Sequence, residues 1–269
     1  LPGNQQAAVH QMLAKALEKS GDSDGALVQL DKAIQANPRD ANLQYQYGTA
    51  ALKAGDTAVA VAALERAVRL DPHDVAKQQT YAQALLKLGR TSTGSAKTQA
   101  YVKAASSARN VVAANASYDN LMLLAGAQLG AKQYDAALAT LQRAASKRSN
   151  DWLPKFYMGQ AYTQKARYRS AESALKQALD KASSNKDKVT VWKQLGFVYE
   201  KQKNYEDAKG AYRQAGDRAA IARVEKNQKT EAYNRQVEIE NRKLRELEAE
   251  QEKIRRELKE LPGGPPPGL

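Results

Sequence analysis

The chain has 269 residues, carries a formal charge of +13 and contains no cysteine, which excludes disulfides, thiolate metal sites and a cysteine nucleophile together. Charged residues make up 26%, phenylalanine occurs only at Phe156 and Phe197, and strand-favouring residues are sparse, so the composition predicts an all-α protein. No apolar run approaches the roughly 18 residues of a membrane-spanning helix.

The chain begins at Leu1, read here as removal of an upstream segment, and this favours an extracytoplasmic, periplasmic location over a cytoplasmic one. After an N-terminal extension, residues 1–6, the sequence repeats. Steps of 34 residues align Ala26 with Ala60 and Ala137 with Ala171, extra residues in the third unit and before the last separating these from each other and from Ala208, and seven positions later stand Ala33, Ala67, Ala144, Ala178 and Ala215. Leu30, Leu64, Leu141, Leu175 and Tyr212 fall between them. Earlier in each unit stand Leu13-Ala14, Tyr47-Gly48, Leu124-Ala125, Met158-Gly159 and Leu195-Gly196. Small residues at such points let two helices approach until larger neighbours interlock.

The spacing predicts helical hairpins over 7–40, 41–74, 75–117, 118–151, 152–185 and 189–222. Asn37-Pro38-Arg39-Asp40 and Asp71-Pro72-His73-Asp74 close the first two, the proline stopping one helix and the aspartate capping the next. The third unit carries extra residues, Gly89-Arg90-Thr91-Ser92-Thr93-Gly94-Ser95, expected to lengthen the inter-helix turn near residues 89–97 as a tolerated insertion or a partner-contacting loop.

This pattern resembles the tetratricopeptide-repeat (TPR) family, and the last unit, with Trp192, Leu195, Gly196, Tyr199, Tyr205, Ala208, Tyr212 and Ala215, matches it most fully. The resemblance implies a right-handed superhelical solenoid of about six hairpins whose first helices line a concave, partner-binding groove. It carries the groove-facing positions onto Gln11, Lys15, Tyr45, Thr49, Leu52, Gln79, Gln83, Met122, Leu129, Phe156, Gln160, Gln164, Lys193, Phe197 and Lys201. Tyr45, Phe156 and Phe197 are the candidate anchors, with packing between units as the competing role for the two phenylalanines. Chaperone-binding members clamp a carboxylate with lysine and asparagine, whereas Gln11 and Lys15 stand at those places in the first unit, so that clamp is not reproduced.

A long polar helix is predicted over 223–261, its start joining Ala219, Ala220, Ile221 and Val224 to cover the apolar edge of the last hairpin. Val237, Leu244, Leu247, Ile254, Leu258 and Leu261 occupy a and d sites of a heptad frame interrupted by Glu240 and Gln251. A homo- or hetero-oligomeric coiled coil and a solitary helix held by Glu-to-Arg pairs are the two readings. The tail, 262–269, ends in Pro266-Pro267-Gly268-Leu269, which is similar to the Pro-Pro-Gly-hydrophobic ligand of GYF adaptor domains.

Net charge is +4 over residues 1–117, +8 over 118–222 and +1 over 223–269. The middle units therefore offer either a solvated lysine face or a surface for anionic lipid, acidic protein or nucleic acid, but they lack the Arg-and-aromatic pattern of base stacking. Only His10 and His73 are present, neither with a helical partner for a metal, and glycines form no phosphate-cradling loop. The expectation is a non-enzymatic scaffold or assembly factor, without cofactor or metal, that binds a protein segment, with a bacterial cell-envelope complex as its setting. Anionic-surface binding and self-assembly through the C-terminal helix are the alternatives.

Overall fold

The structure is a computed structural model that describes residues 2–260. Among these residues there are thirteen α-helices and no strand, divided between two compact units, residues 1–187 and 188–269. In the first unit α1 (Gly3–Ser20) pairs with α2 (Ser23–Ala36), α3 (Ala41–Ala54) with α4 (Thr57–Leu70), and α5 (Val75–Thr91) with α6 (Gly94–Ala114). Then α7 (Tyr118–Gly130) pairs with α8 (Tyr134–Lys147), and α9 (Leu153–Gln164) with α10 (Tyr168–Lys181). The first helix of each later hairpin also packs on the second helix before it, so each hairpin buries its apolar face on the next, as a solenoid requires. α11 (Asn185–Lys201) leads into the second unit, which continues with α12 (Tyr205–Gln214) and α13 (Arg218–Glu260).

The alanine rows lie at the helix crossings. Ala26, Ala33, Ala60, Ala67, Ala137, Ala144, Ala171, Ala178 and Ala208 are all fully buried, as are Leu64, Leu141 and Leu175, while Ala215 is half-buried. Asp40 and Asp74 cap α3 and α5: Asp40 Oδ1 accepts from the amides of Asn42 and Leu43 at 2.7 and 3.2 Å, and Asp74 Oδ1 from Lys77 at 2.9 Å. The other oxygen of Asp74 holds the ammonium of buried Lys77, which Asp71 also meets at 3.1 Å. Its hydrogen bond to Asp74 raises the Lys77 pKa, and the same bond lowers that of Asp74.

Position 15 of the unit is where the first helix of most hairpins ends. Gly21 and Gly55 take the left-handed conformation there at φ of 86° and 92°, and Lys132, Ala166 and Lys203 adopt it at 60°, 55° and 60° without being glycine. A Cβ is unwelcome in that region. Ala166 is exposed, so Ala166→Gly removes strain without costing packing. It is expected to raise stability by about 1 kcal/mol in urea unfolding.

The same position in the third unit is Gly89, and here the structure corrects the expected loop at residues 89–97. The helix does not stop: α5 runs on to Thr91, α6 starts at Gly94, and Ser92 and Thr93 alone connect them. The extra residues lengthen both helices because they have something to bury. Tyr101, 8% exposed on α6, lies against Gly89 of α5 on one side and Gly130 of α7 on the other. A Cβ built on either glycine would sit 2.9 Å and 2.2 Å from ring carbons.

In the second unit α13 is 43 residues long, about 65 Å at 1.5 Å per residue. Its start packs on α12 through Ala220 and Val224, both buried, with Ile221 half-buried. Ala219, expected in that contact, is exposed because it lies on the opposite side of the helix from Val224. Leu261 and the Pro266 to Leu269 motif lie outside the described residues.

Candidate functional site

Two clefts open on the first helices of the hairpins in the first unit. One, of about 450 Å³, is formed by α1 and α3 with Leu30, and collects the expected groove residues Gln11, Lys15 and Thr49. Its walls are polar, and Glu18 and Lys53, both lining it, pair at 3.9 Å. The other, of about 580 Å³, spans α5, α7 and α9 and collects Gln83 and Met122. Its lining is apolar and aromatic, with Leu86, Leu123, Leu153, Tyr118 and Tyr157, and it carries Lys87 and Arg90 beside a single acid, Asp119. Buried aliphatic and aromatic anchors supply most of the affinity in protein recognition, so the second cleft is the stronger candidate.

Several groove candidates are already hydrogen-bonded to residues of the next first helix. Gln11 Nε2 donates to Gln46 Oε1 at 2.8 Å, the Tyr45 hydroxyl shares a 3.2 Å hydrogen bond with Thr80, and Gln79 Nε2 donates to Asn120 Oδ1 at 3.4 Å. Thr49 donates to the Gln46 carbonyl, and Leu52 packs on the core. The three side-chain pairs tie consecutive first helices together about one repeat apart, a role that single-sequence spacing could not separate from partner contact.

Tyr118 anchors one wall of the apolar cleft. Its hydroxyl donates to Asp151 Oδ2 at 2.5 Å and Arg148 lies 4.0 Å above its ring, while Arg148 also reaches Asp119 at 3.5 Å. Burial first, and Asp151 next, raise the Tyr118 pKa, so the hydroxyl keeps its proton and the ring keeps its place.

Phe156 is corrected as an anchor. It is 7% exposed, covered edge-on by Trp152 and Tyr157 at 5.4 and 5.6 Å, and packs inside its unit. Leu129 and Gln160 are half-buried and Gln164 is exposed, and none of them lines either cleft. In the second unit Lys201 stacks over half-buried Phe197 at 5.2 Å, and Lys193 approaches Asp217 at 3.9 Å.

Of the lining side chains passed over in the sequence, four stand at positions that face the groove in TPR units (2, 5, 9, 12 and 13), whereas Tyr118, Leu123 and Tyr157 stand at positions 1 and 6, outside that set. Leu86 and Lys87 hold positions 12 and 13 of the third unit, and Asp119 and Leu153 hold position 2 of the fourth and fifth. Arg90 was hidden because it sits on the turn of α5 that was read as a loop.

The basic excess of the middle units is partly neutralised. Lys165 pairs with Asp135, Lys203 with Glu231 and Lys209 with Glu206, while Lys181 donates to the Ser149 carbonyl, which offsets no charge. Among the described residues no group of three His, Asp or Glu is arranged to hold a metal, and no helix is long and apolar enough to cross a membrane.

A family model described as tetratricopeptide repeat matches residues 12–75 and 158–221. These two segments are tetratricopeptide repeats. Among solved structures, the chain is similar to a crystal structure of MamA at 20% identity, covering 66% of this chain and 92% of that one with a TM-score of 0.55. It is similar to MamA from Desulfovibrio magneticus RS-1 at 20% identity, covering 65% and 94% with a TM-score of 0.52. YrrB, described as a TPR protein with an unusual peptide-binding site, aligns at 18% identity over 73% of this chain and 97% of its own, with a TM-score of 0.53. At these identities the likeness shows the fold alone. No curated protein matches the sequence.

Proposed function

We propose that this chain is a non-enzymatic interaction scaffold that holds a short partner segment in the cleft formed by α5, α7 and α9. The observation that carries the reading is the composition of that cleft, an apolar and aromatic floor next to the paired cations Lys87 and Arg90. The partner it fits offers one aliphatic or aromatic side chain to the floor and an acidic group to the cations. The peptide-binding site in the description of YrrB agrees with this use of the fold.

Peptide display on the immobilised protein tests it. Enriched sequences should combine an apolar anchor with Asp or Glu, and Lys87→Glu with Arg90→Glu should weaken an enriched peptide about 10-fold or more. Both side chains are exposed, so the double variant should fold normally. Enrichment without acidic residues, or affinity unmoved by the charge reversal, would sink the proposal.

A further inference from the structure

We propose that the distal part of α13 joins two copies of this chain as a parallel, in-register coiled coil over residues 243–260. Leu244, Leu247, Ile254 and Leu258 are 55%, 56%, 49% and 44% exposed, although each is a large aliphatic side chain on a single helix. They fall on the a and d positions of one heptad frame, a at 237, 244, 251 and 258 and d at 240, 247 and 254. Cross-element contacts of α13 end near Glu231, which meets Lys203 and Tyr205. Beyond it, the hydrogen bonds and ion pairs among the described residues are internal to the helix, such as Glu252 to Arg256 and Lys253 to Glu257.

The flanking charges select the occupant. In a parallel, in-register pair each g residue faces the e residue five places on in the other helix. Lys243 then meets Glu248 of the second copy and Glu250 meets Arg255, and both pairs recur by symmetry, so all four contacts are attractive. An antiparallel pairing centred between Leu247 and Gln251 instead brings Glu248 onto Glu248 and Glu250 onto Glu250, so its two attractive Lys243–Glu257 contacts are set against two repulsive ones. A second copy in parallel is thus the partner this stripe is charged to accept. Gln251 at a places two amides opposite each other, a polar layer that fixes register at some cost in stability. Glu240 at d would face its own copy as two carboxylates, which sets the N-terminal limit of the pairing.

This pairing does not depend on what enters the groove, and its test does not use the groove. Sedimentation of the full chain from about 1 to 300 µM should show a dimer that grows with concentration. Leu247→Lys with Ile254→Lys should weaken it at least about 100-fold. Glu240→Leu should tighten it about 10-fold by extending the core towards Val237. Lys243→Glu should weaken it, and adding Glu248→Lys should restore it. Since the chain has no cysteine, Leu244→Cys and Leu258→Cys each report register directly: every single-cysteine protein should form a disulfide dimer with itself. Wild type that stays monomeric across the range, a dimer indifferent to the lysine substitutions, or cross-linking of Leu244→Cys only with an Ile254→Cys protein would overturn the proposal. Circular dichroism of each variant confirms that helix content is retained, so a lost dimer is read as a lost contact.

Discussion

Val224→Asp is expected to strip hydrogen-exchange protection from the start of α13 and from α12, at a cost of about 3–5 kcal/mol to that packing. Val224 is fully buried, and with Ala220 it is the apolar part of the α12–α13 contact. A carboxylate at a fully buried position loses its hydration, so the helix leaves rather than the charge being buried. Around Val224 the contact is polar. Glu200 accepts from Arg223 at 2.9 Å, from the Tyr212 hydroxyl at 3.2 Å and from Asn227 at 3.2 Å. Burial works to raise the Glu200 pKa, but Arg223, Tyr212 and Asn227 outweigh it and hold it below the usual carboxylate range. A depressed carboxylate contributes stability above its unfolded pKa and loses it as the pH falls through the folded value. Protection of residues 218–231 should therefore be constant above about pH 5 and decline below about pH 4. Helices α1–α4 should keep their protection in the variant, because repeats are stabilised by their neighbours. Global loss of exchange protection in Val224→Asp would contradict this.

Gly130→Ala is expected to destabilise the third and fourth hairpins by about 3 kcal/mol, despite alanine being the better helix former. The added Cβ would lie 2.2, 2.4 and 2.5 Å from three carbons of the Tyr101 ring. The ring cannot retreat, because Gly89 bounds its other face. Gly126→Ala, in the same helix, meets nothing within 4 Å and should stabilise by up to about 1 kcal/mol. Urea unfolding of the two variants, with Tyr101→Leu added to Gly130→Ala, separates crowding from propensity. If crowding is the cause, the double variant costs less than the sum of its parts.

The alanine rows and the Pro-Asp turns made the hairpins legible, because small residues at crossings and helix stops are local signals that recur every 34 residues. The third unit misled because Gly89 occupies the place where Gly21 and Gly55 end their helices. What keeps α5 going is a tyrosine twelve residues later and a glycine in the next hairpin, a tertiary reason invisible in local propensity. The expected groove residues were named by position and not by role. Frame positions alone could not reveal that Gln11, Tyr45 and Gln79 spend their polar groups on the next helix, or that Trp152 and Tyr157 bury Phe156.

The bonds from Gln11 to Gln46, Tyr45 to Thr80 and Gln79 to Asn120 fix the orientation of those polar side chains before any ligand arrives. A segment that needed the donor or acceptor already used in each pair would have to replace a bond that exists, gaining little net free energy. Discrimination then falls to one hydrophobic anchor and one ionic contact, and a missing methylene or a displaced carboxylate in the ligand is only modestly penalised. On the function proposed above, the cleft would accept many sequences of similar chemistry, and local abundance would select among them.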